Sequence, residues 1–202
     1  MKKILILFSI VIIICNCESN KKNNHNPINK DNIHLVHFLE RKVYLPNNFK
    51  RSSIETFTEL IKSSIDLDTL SNYELERLNN LSKLNENVEI FIGNNNYLNS
   101  ISFQSSPYFE FGKEAVAMYV DLLENQLLVE PRSRGVEFER LESKYLKYGI
   151  SKIVKVKYLQ RDGNRTGYLT HYLISYKLYT FGIIVSNEHG NDYQFILRNF
   201  KK

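Results

Sequence analysis

Apolar and polar residues alternate between Ser151 and Asn187 in a pattern that predicts strands. Val154, Val156 and Tyr158 fall on one parity and Lys155 and Lys157 on the other, the period-two signature of a strand with one buried face. Arg161–Gly167 (RDGNRTG) is polar, carries two glycines and predicts a chain reversal, after which Tyr168, Tyr172, Ile174 and Tyr176 resume the alternation. From Tyr179 the apolar set moves to odd positions (Tyr179, Phe181, Ile183, Val185), which predicts a bulge or turn near Lys177-Leu178. The segment reads as an antiparallel meander of two or three strands. Val154, Val156, Tyr172, Ile174, Phe181, Ile183 and Val185 are expected to be buried, and Lys155, Lys157, His171 and Lys177 exposed.

Upstream, Leu35, His37 and Leu39, then Val43 and Leu45, read as extended chain, and Pro46-Asn47-Asn48 as a turn before Phe49. Ser52 with Glu55 forms a capping box, and Phe57, Leu60, Ile61 and Ile65 recur at helical spacing, so a helix is expected over Ser53–Asp66. A second box, Ser71 with Glu74, opens a shorter helix carrying Leu75, Leu78 and Leu81. Val88, Ile90 and Ile92, the turn Gly93–Asn96, and Tyr97, Asn99, Ile101 and Phe103 make a hairpin signal that Pro107 ends. Gly112–Val129 carries the strongest helical stripe, Val116, Tyr119, Val120, Leu123 and Leu127, with Glu114, Asp121 and Glu124 opposite. Pro131 is expected to stop it, leaving Glu130–Gly135 as a charged loop. Phe138, Leu141, Tyr145 and Tyr148 then predict another helix ending at Gly149, and Asp192 a cap for a last short helix that packs Tyr193, Ile196, Leu197 and Phe200.

Strands and helices do not alternate regularly, so the fold class is α+β, an antiparallel sheet with helices packed on it. The hairpin with a Leu45-Pro46-x-x-Phe49 turn leading to a helix, then a hairpin, a long helix and a C-terminal meander, resembles the Mog1/PsbP-like fold over about Lys42–Phe200. That resemblance implies a sandwich and an accessory, scaffold or chaperone-like role. It implies no catalytic residues.

Composition adds the compartment. Residues 33–202 are read as one globular domain, and a chain of 202 residues that is 43% hydrophobic can bury a core of that size. Met1–Cys17 has Lys2 and Lys3, the apolar run Ile4–Ile14, and a cysteine where the run ends. It is shorter than the roughly 20 residues of a membrane span and reads as a cleaved signal. Ile14-Cys15-Asn16-Cys17 resembles a bacterial lipobox, so residues 1–16 are assigned to a lipoprotein signal peptide and Cys17 to lipid attachment. Residues 17–32 are rich in Asn and Lys and are expected to be a flexible tether. Both cysteines lie in this N-terminal part, so no disulfide can staple the domain. The formal charge of +5, which includes Lys2 and Lys3, is too small and too scattered to argue for a nucleic-acid partner.

Chemistry-bearing patterns are sparse. His34 and His37 point to opposite faces of a strand and cannot share a metal, so no metal and no cofactor is expected. His171 reads as a surface or cross-strand residue. No nucleophile elbow, Walker loop, dinucleotide glycine pattern, HExxH or CxxC is present. Glu137, Glu139 and Glu142 with Arg132, Arg134 and Arg140 read as a solvated face. Tyr168, Tyr172 and Tyr176 are either core or, if the sheet is uncovered there, an amphipathic binding face. The expected protein is no enzyme but a lipid-anchored protein of the bacterial cell envelope that binds another protein or a ligand, with its membrane contact through the N-terminal lipid. Two alternatives are an immunity protein that neutralises a toxin, which an acidic or aromatic patch would favour, and a hydrolase whose active site follows no motif.

Overall fold

The computed structural model describes residues 32–63, 68–84, 87–198 and 200. The expected signal, Cys17 and the tether up to residue 31 lie outside the described residues, as do Ile65 and the side chains of Leu81 and Leu127. The chain opens with a small antiparallel hairpin, β1 (Ile33–Val36) and β2 (Arg41–Tyr44), joined by a 3-10 turn at His37–Leu39. Next come β3 (Phe49–Ser52), helices α1 (Ile54–Lys62) and α2 (Thr69–Leu84), and the hairpin β4 (Val88–Gly93) and β5 (Asn96–Ser106). Helix α3 (Ala115–Leu122) continues through a π-helical turn, Leu123–Leu127, into the short α4 (Val129–Ser133). Four long strands close the fold, β6 (Glu137–Tyr148), β7 (Ser151–Asp162), β8 (Arg165–Tyr176) and β9 (Tyr179–Asn187), followed by a 3-10 turn at Gln194–Arg198. Strands β3 to β9 make one antiparallel sheet in the order β3-β4-β5-β9-β8-β7-β6. The architecture is α+β.

Both faces of this sheet are covered. The helices pack on one face against two clusters, Phe57, Ile61, Leu78, Ile90 and Ile92 at one side and Val120, Leu123, Val154, Val156, Tyr158 and Leu173 at the other. The β1–β2 hairpin and the C-terminal turn pack on the opposite face against Phe91, Phe103, Ile153, Tyr172, Ile174, Phe181, Ile183 and Val185. Successive side chains of a strand point to opposite faces, so a doubly covered sheet buries both parities.

That double cover corrects the exposure expected for Lys155 and His171, which are 2% and 6% exposed. Lys157 is half-buried, whereas Lys177 is exposed as expected. The seven meander residues expected to be buried are buried, but Val154 and Val156 lie under the helices and the other five under the C-terminal segment. The reversals are tight. Only Gly163-Asn164 separates β7 from β8, with Asp162 paired to Arg165, and Lys177-Leu178 joins β8 to β9 at the predicted place.

The helix expected over Phe138–Gly149 is the edge strand β6. A register shift between Arg140 and Glu142 lets Phe138 and Tyr145, seven residues apart, share the helix-covered face, and this imitates helical spacing. Gly149, at φ +58°, serves the hairpin turn to β7 instead of a helix end. Pro131 does not stop a helix but lies buried within the first turn of α4, where a missing N–H costs nothing, so Glu130–Gly135 is largely helical. Leu128 N donates to Leu123 O at 2.8 Å, closing the π turn. Both capping expectations move. Ser53, not Ser52, caps α1 by accepting from Thr56 N at 3.1 Å, and Asp68, not Ser71, caps α2 by accepting from Ser71 N at 2.8 Å. The tip of the β7–β8 hairpin fastens that cap: Asp162 accepts from Leu70 N, and Arg165 pairs with Asp68.

Candidate functional site

An open apolar cleft lies where the end of β5 meets α3. Pro107 ends β5, and the segment after it crosses in front of β9. There Phe109 N donates to Thr180 Oγ1 at 3.0 Å and the Thr180 hydroxyl donates back to Phe109 O at 2.9 Å. Phe109, half out of its packing at 44% exposure, tilts against the buried Phe111 with ring centroids 5.7 Å apart. Helix α3 forms the other wall with Ala115, Met118, Tyr119 and Leu122, and Leu173 of β8 forms the floor. The cleft holds about 460 Å³. Met118 is 71% exposed and Leu122 36%, so the helix presents apolar surface to solvent beside its core stripe.

The rim is acidic. Glu110, Glu114 and Asp121 border the cleft. Hydrogen bonding to Lys152 lowers the Glu110 pKa, and backbone N–H groups at the start of the helix lower that of Glu114, so both are carboxylates at neutral pH. An apolar floor with an anionic edge is suited to an apolar group that carries positive charge at its margin.

The three tyrosines proposed as a binding face share one face of β8 but form no exposed patch. Tyr172 is 1% exposed and donates to Asp192 O at 2.9 Å, and Tyr176 packs against Phe200 at 6.2 Å. Tyr168 is half-buried, with the Lys157 ammonium 5.3 Å from its ring centre. The segment after Asn187 covers this face, which corrects the binding reading: Tyr172 is core, Tyr176 packs against that core, and Tyr168 is half-buried. Cys17 lies outside the described residues.

His171 is sealed beneath α3, its ring edge-on to Tyr119 at 6.4 Å. Burial, with the Arg77 charge adding to it, lowers its pKa to about 4. His34 sits in β1 and contacts Asn32 at 2.8 Å, while His37 has left the strand for the 3-10 turn. Among the described residues no group of three or more His, Cys, Asp or Glu side chains could hold a metal ion. In the mixed-charge group, Arg134 meets Glu76 at 2.9 Å and Arg140 meets Glu124 at 3.1 Å, but Glu142 turns inward to Lys155 at 2.5 Å. Among the described residues no helix is long and apolar enough to cross a membrane.

Sequence reasoning passed over Phe109, Phe111, Met118 and Leu122. The signal was present: Phe109-Glu110-Phe111 alternates between Pro107 and Gly112, and Met118 and Leu122 stand four apart on the helix, off the stripe that builds the core.

No family model matches the chain, and no curated protein sequence matches it. The chain is similar to a cyanobacterial PsbP. The solution structure of that protein (CyanoP) from Synechocystis sp. PCC 6803 aligns over 79% of this chain and 85% of its own, with a TM-score of 0.45 and 10% sequence identity. It is of the fold class to which the element order was likened, and no residue or role is carried over from it.

Proposed function

We propose that this chain is a non-catalytic binding protein of the bacterial envelope, held to a membrane by lipid on Cys17, whose cleft beside α3 takes an apolar protein segment flanked by basic residues. The observation that carries the binding role is the cleft itself, with Phe109, Met118 and Leu122 exposed around an apolar floor and Glu110, Glu114 and Asp121 at the rim. Apolar side chains supply the attraction and the carboxylates select charge at its edge. The acidic and aromatic character of the rim also favours, as a second reading, an immunity protein whose target is basic. In either case the protein works by occupying a partner's surface.

A synthetic peptide with a leucine core and flanking lysines is the probe. It should bind the full chain in detergent, and Met118→Lys with Leu122→Lys should weaken binding at least about ten-fold, as expected for buried hot-spot contacts, with an unchanged melting temperature. Glu114→Lys should weaken it at low salt more than at high salt. Equal binding by wild type and the double variant would remove the cleft from the function. Binding of an uncharged apolar probe, but not of the peptide, would assign the cleft to a small ligand instead.

A further inference from the structure

The two ends of the main sheet differ in the chemistry of their turns. At one end the reversals are Asn94-Asn95, Gly163-Asn164 and Glu188-His189, polar residues of the kinds that tight turns favour. At the other end they are Gly149-Ile150 and Lys177-Leu178, which close the β6–β7 and β8–β9 hairpins and stand side by side because β7 pairs with β8, Lys152 opposite Ser175. Ile150 is 61% exposed and Leu178 78%. Lys177 holds φ +53°, a left-handed conformation in which Asn or Gly is ordinary. Among the described residues neither Ile150 nor Leu178 belongs to a core cluster. Beside them, beyond the end of β5, Tyr108 and Phe109 are 48% and 44% exposed.

Basic residues surround these tips. Lys147 and Lys152 face each other across the β6–β7 hairpin, and Lys177 lies 5.6 Å from the centre of the Tyr176 ring. The Arg198 guanidinium stands 4.8 Å over Tyr148. Lys113 follows the Tyr108-Phe109 segment. The carboxylates near this end, Glu110, Glu114 and Asp121, belong to the rim of the cleft, and Glu110 is already paired with Lys152.

We propose that this end of the sheet, with Ile150, Leu178 and Tyr108 at its tips, docks on an anionic phospholipid surface. Separate apolar side chains on projecting turns suit a fluid bilayer, which closes around each one, better than a rigid protein, which would need a hole for each. Tyrosine rings at the boundary and lysines behind it match the interfacial and headgroup layers. The docking stands apart from acylation of Cys17 but is compatible with it. Asn32 is anchored at the opposite end of the sheet, where Phe49 pairs with Gly93, and it stands fifteen positions after Cys17 in the sequence. A strand as long as β7 covers about 40 Å, and the chain from Cys17 to Asn32 reaches about 50 Å when extended. Docking in this orientation would open the cleft beside the lipid surface.

The chain contains no tryptophan, so an introduced one reports alone. The full chain carrying Leu178→Trp is mixed with vesicles of phosphatidylcholine, or of phosphatidylcholine with phosphatidylglycerol. Emission and quenching by brominated acyl chains are recorded. Phosphatidylglycerol vesicles should shift the emission to the blue and bring bromine quenching, and Asn164→Trp at the opposite end should show neither. Adding Lys147→Glu and Lys177→Glu to Leu178→Trp should weaken the vesicle affinity at least about twenty-fold, on the scale of roughly five-fold per basic residue lost at an anionic surface. A solvent-like spectrum for Leu178→Trp on vesicles with which the chain co-floats would overturn the proposal. A blue shift already present without vesicles would assign the tips to contact between copies of the chain and overturn it equally. Neither result touches the peptide assay on the cleft, which is read without a bilayer.

Discussion

The ammonium of Lys155, on strand β7 next to the edge of the sheet, lies 2.6 Å from Asp192 Oδ2 in the segment that covers it. Glu142 of the neighbouring strand approaches the same nitrogen at 2.5 Å. Asp192 also accepts from Gln194 N at 3.1 Å, so one carboxylate both starts the C-terminal turn and pins it to the sheet. Burial works against the charge on Lys155, but the two carboxylates outweigh it and raise its pKa. Burial likewise tends to raise the Asp192 pKa, and Lys155 outweighs that and lowers it.

Replacing Lys155 with Met should therefore destabilise the fold by about 1–3 kcal/mol near neutral pH, because two partly buried carboxylates lose their counter-charge. A depressed carboxylate contributes stability above its unfolded pKa, about 4, and loses it as pH falls through the lower folded value. A raised lysine contributes fully below about 10.4 and loses it as pH rises through the higher folded value. Urea unfolding of wild type and Lys155→Met should differ most between these limits, and the gap should narrow in acid.

His171 sets a separate acid dependence. Its folded pKa of about 4 lies below the ordinary 6.5, so between those values the unfolded chain binds the proton and the folded chain does not. Stability should fall by ~3 kcal/mol as pH drops through that window. His171→Leu should flatten the dependence there, and NMR titration of the ring should show it neutral down to about pH 5.

Leu123 is fully buried where α3 enters the π turn, and Val120 lies beside it against the sheet, as the helical stripe predicts. Leu123→Ala should cost about 2–5 kcal/mol, the range for an emptied core site. Met118→Ala, on the exposed side of the same helix, should change stability by less than about 0.5 kcal/mol. Thermal or urea melts of the two variants check the contrast.

Acylation at Cys17 predicts that mass spectrometry of the membrane fraction finds an N-terminal Cys17 peptide carrying lipid mass. Cys17→Ala should remove that species and weaken membrane retention. An unmodified N-terminus in wild type would separate the binding role from the anchor.

Hydrophobic periodicity alone determined the meander, the turn at Lys177-Leu178, the β4–β5 hairpin, and the stripe of α3, because each depends on residues a few positions apart. Strand β6 was misread for the same local reason, since a bulge after Arg140 shifts the phase and Phe138, Leu141, Tyr145 and Tyr148 then fall at helical intervals. Whether Lys155 and His171 meet water was not a local matter. Their parity is legible, but the C-terminal segment and α3 that cover them arrive from 37 residues downstream and from far upstream, respectively. The candidate cleft and the basic, apolar sheet end depend on tertiary structure in the same way. Phe109, Met118 and Leu173, like Ile150 and Leu178, are ordinary apolar residues in the sequence, and only the packing of α3 on the sheet and the pairing of β7 with β8 bring each set together on one surface.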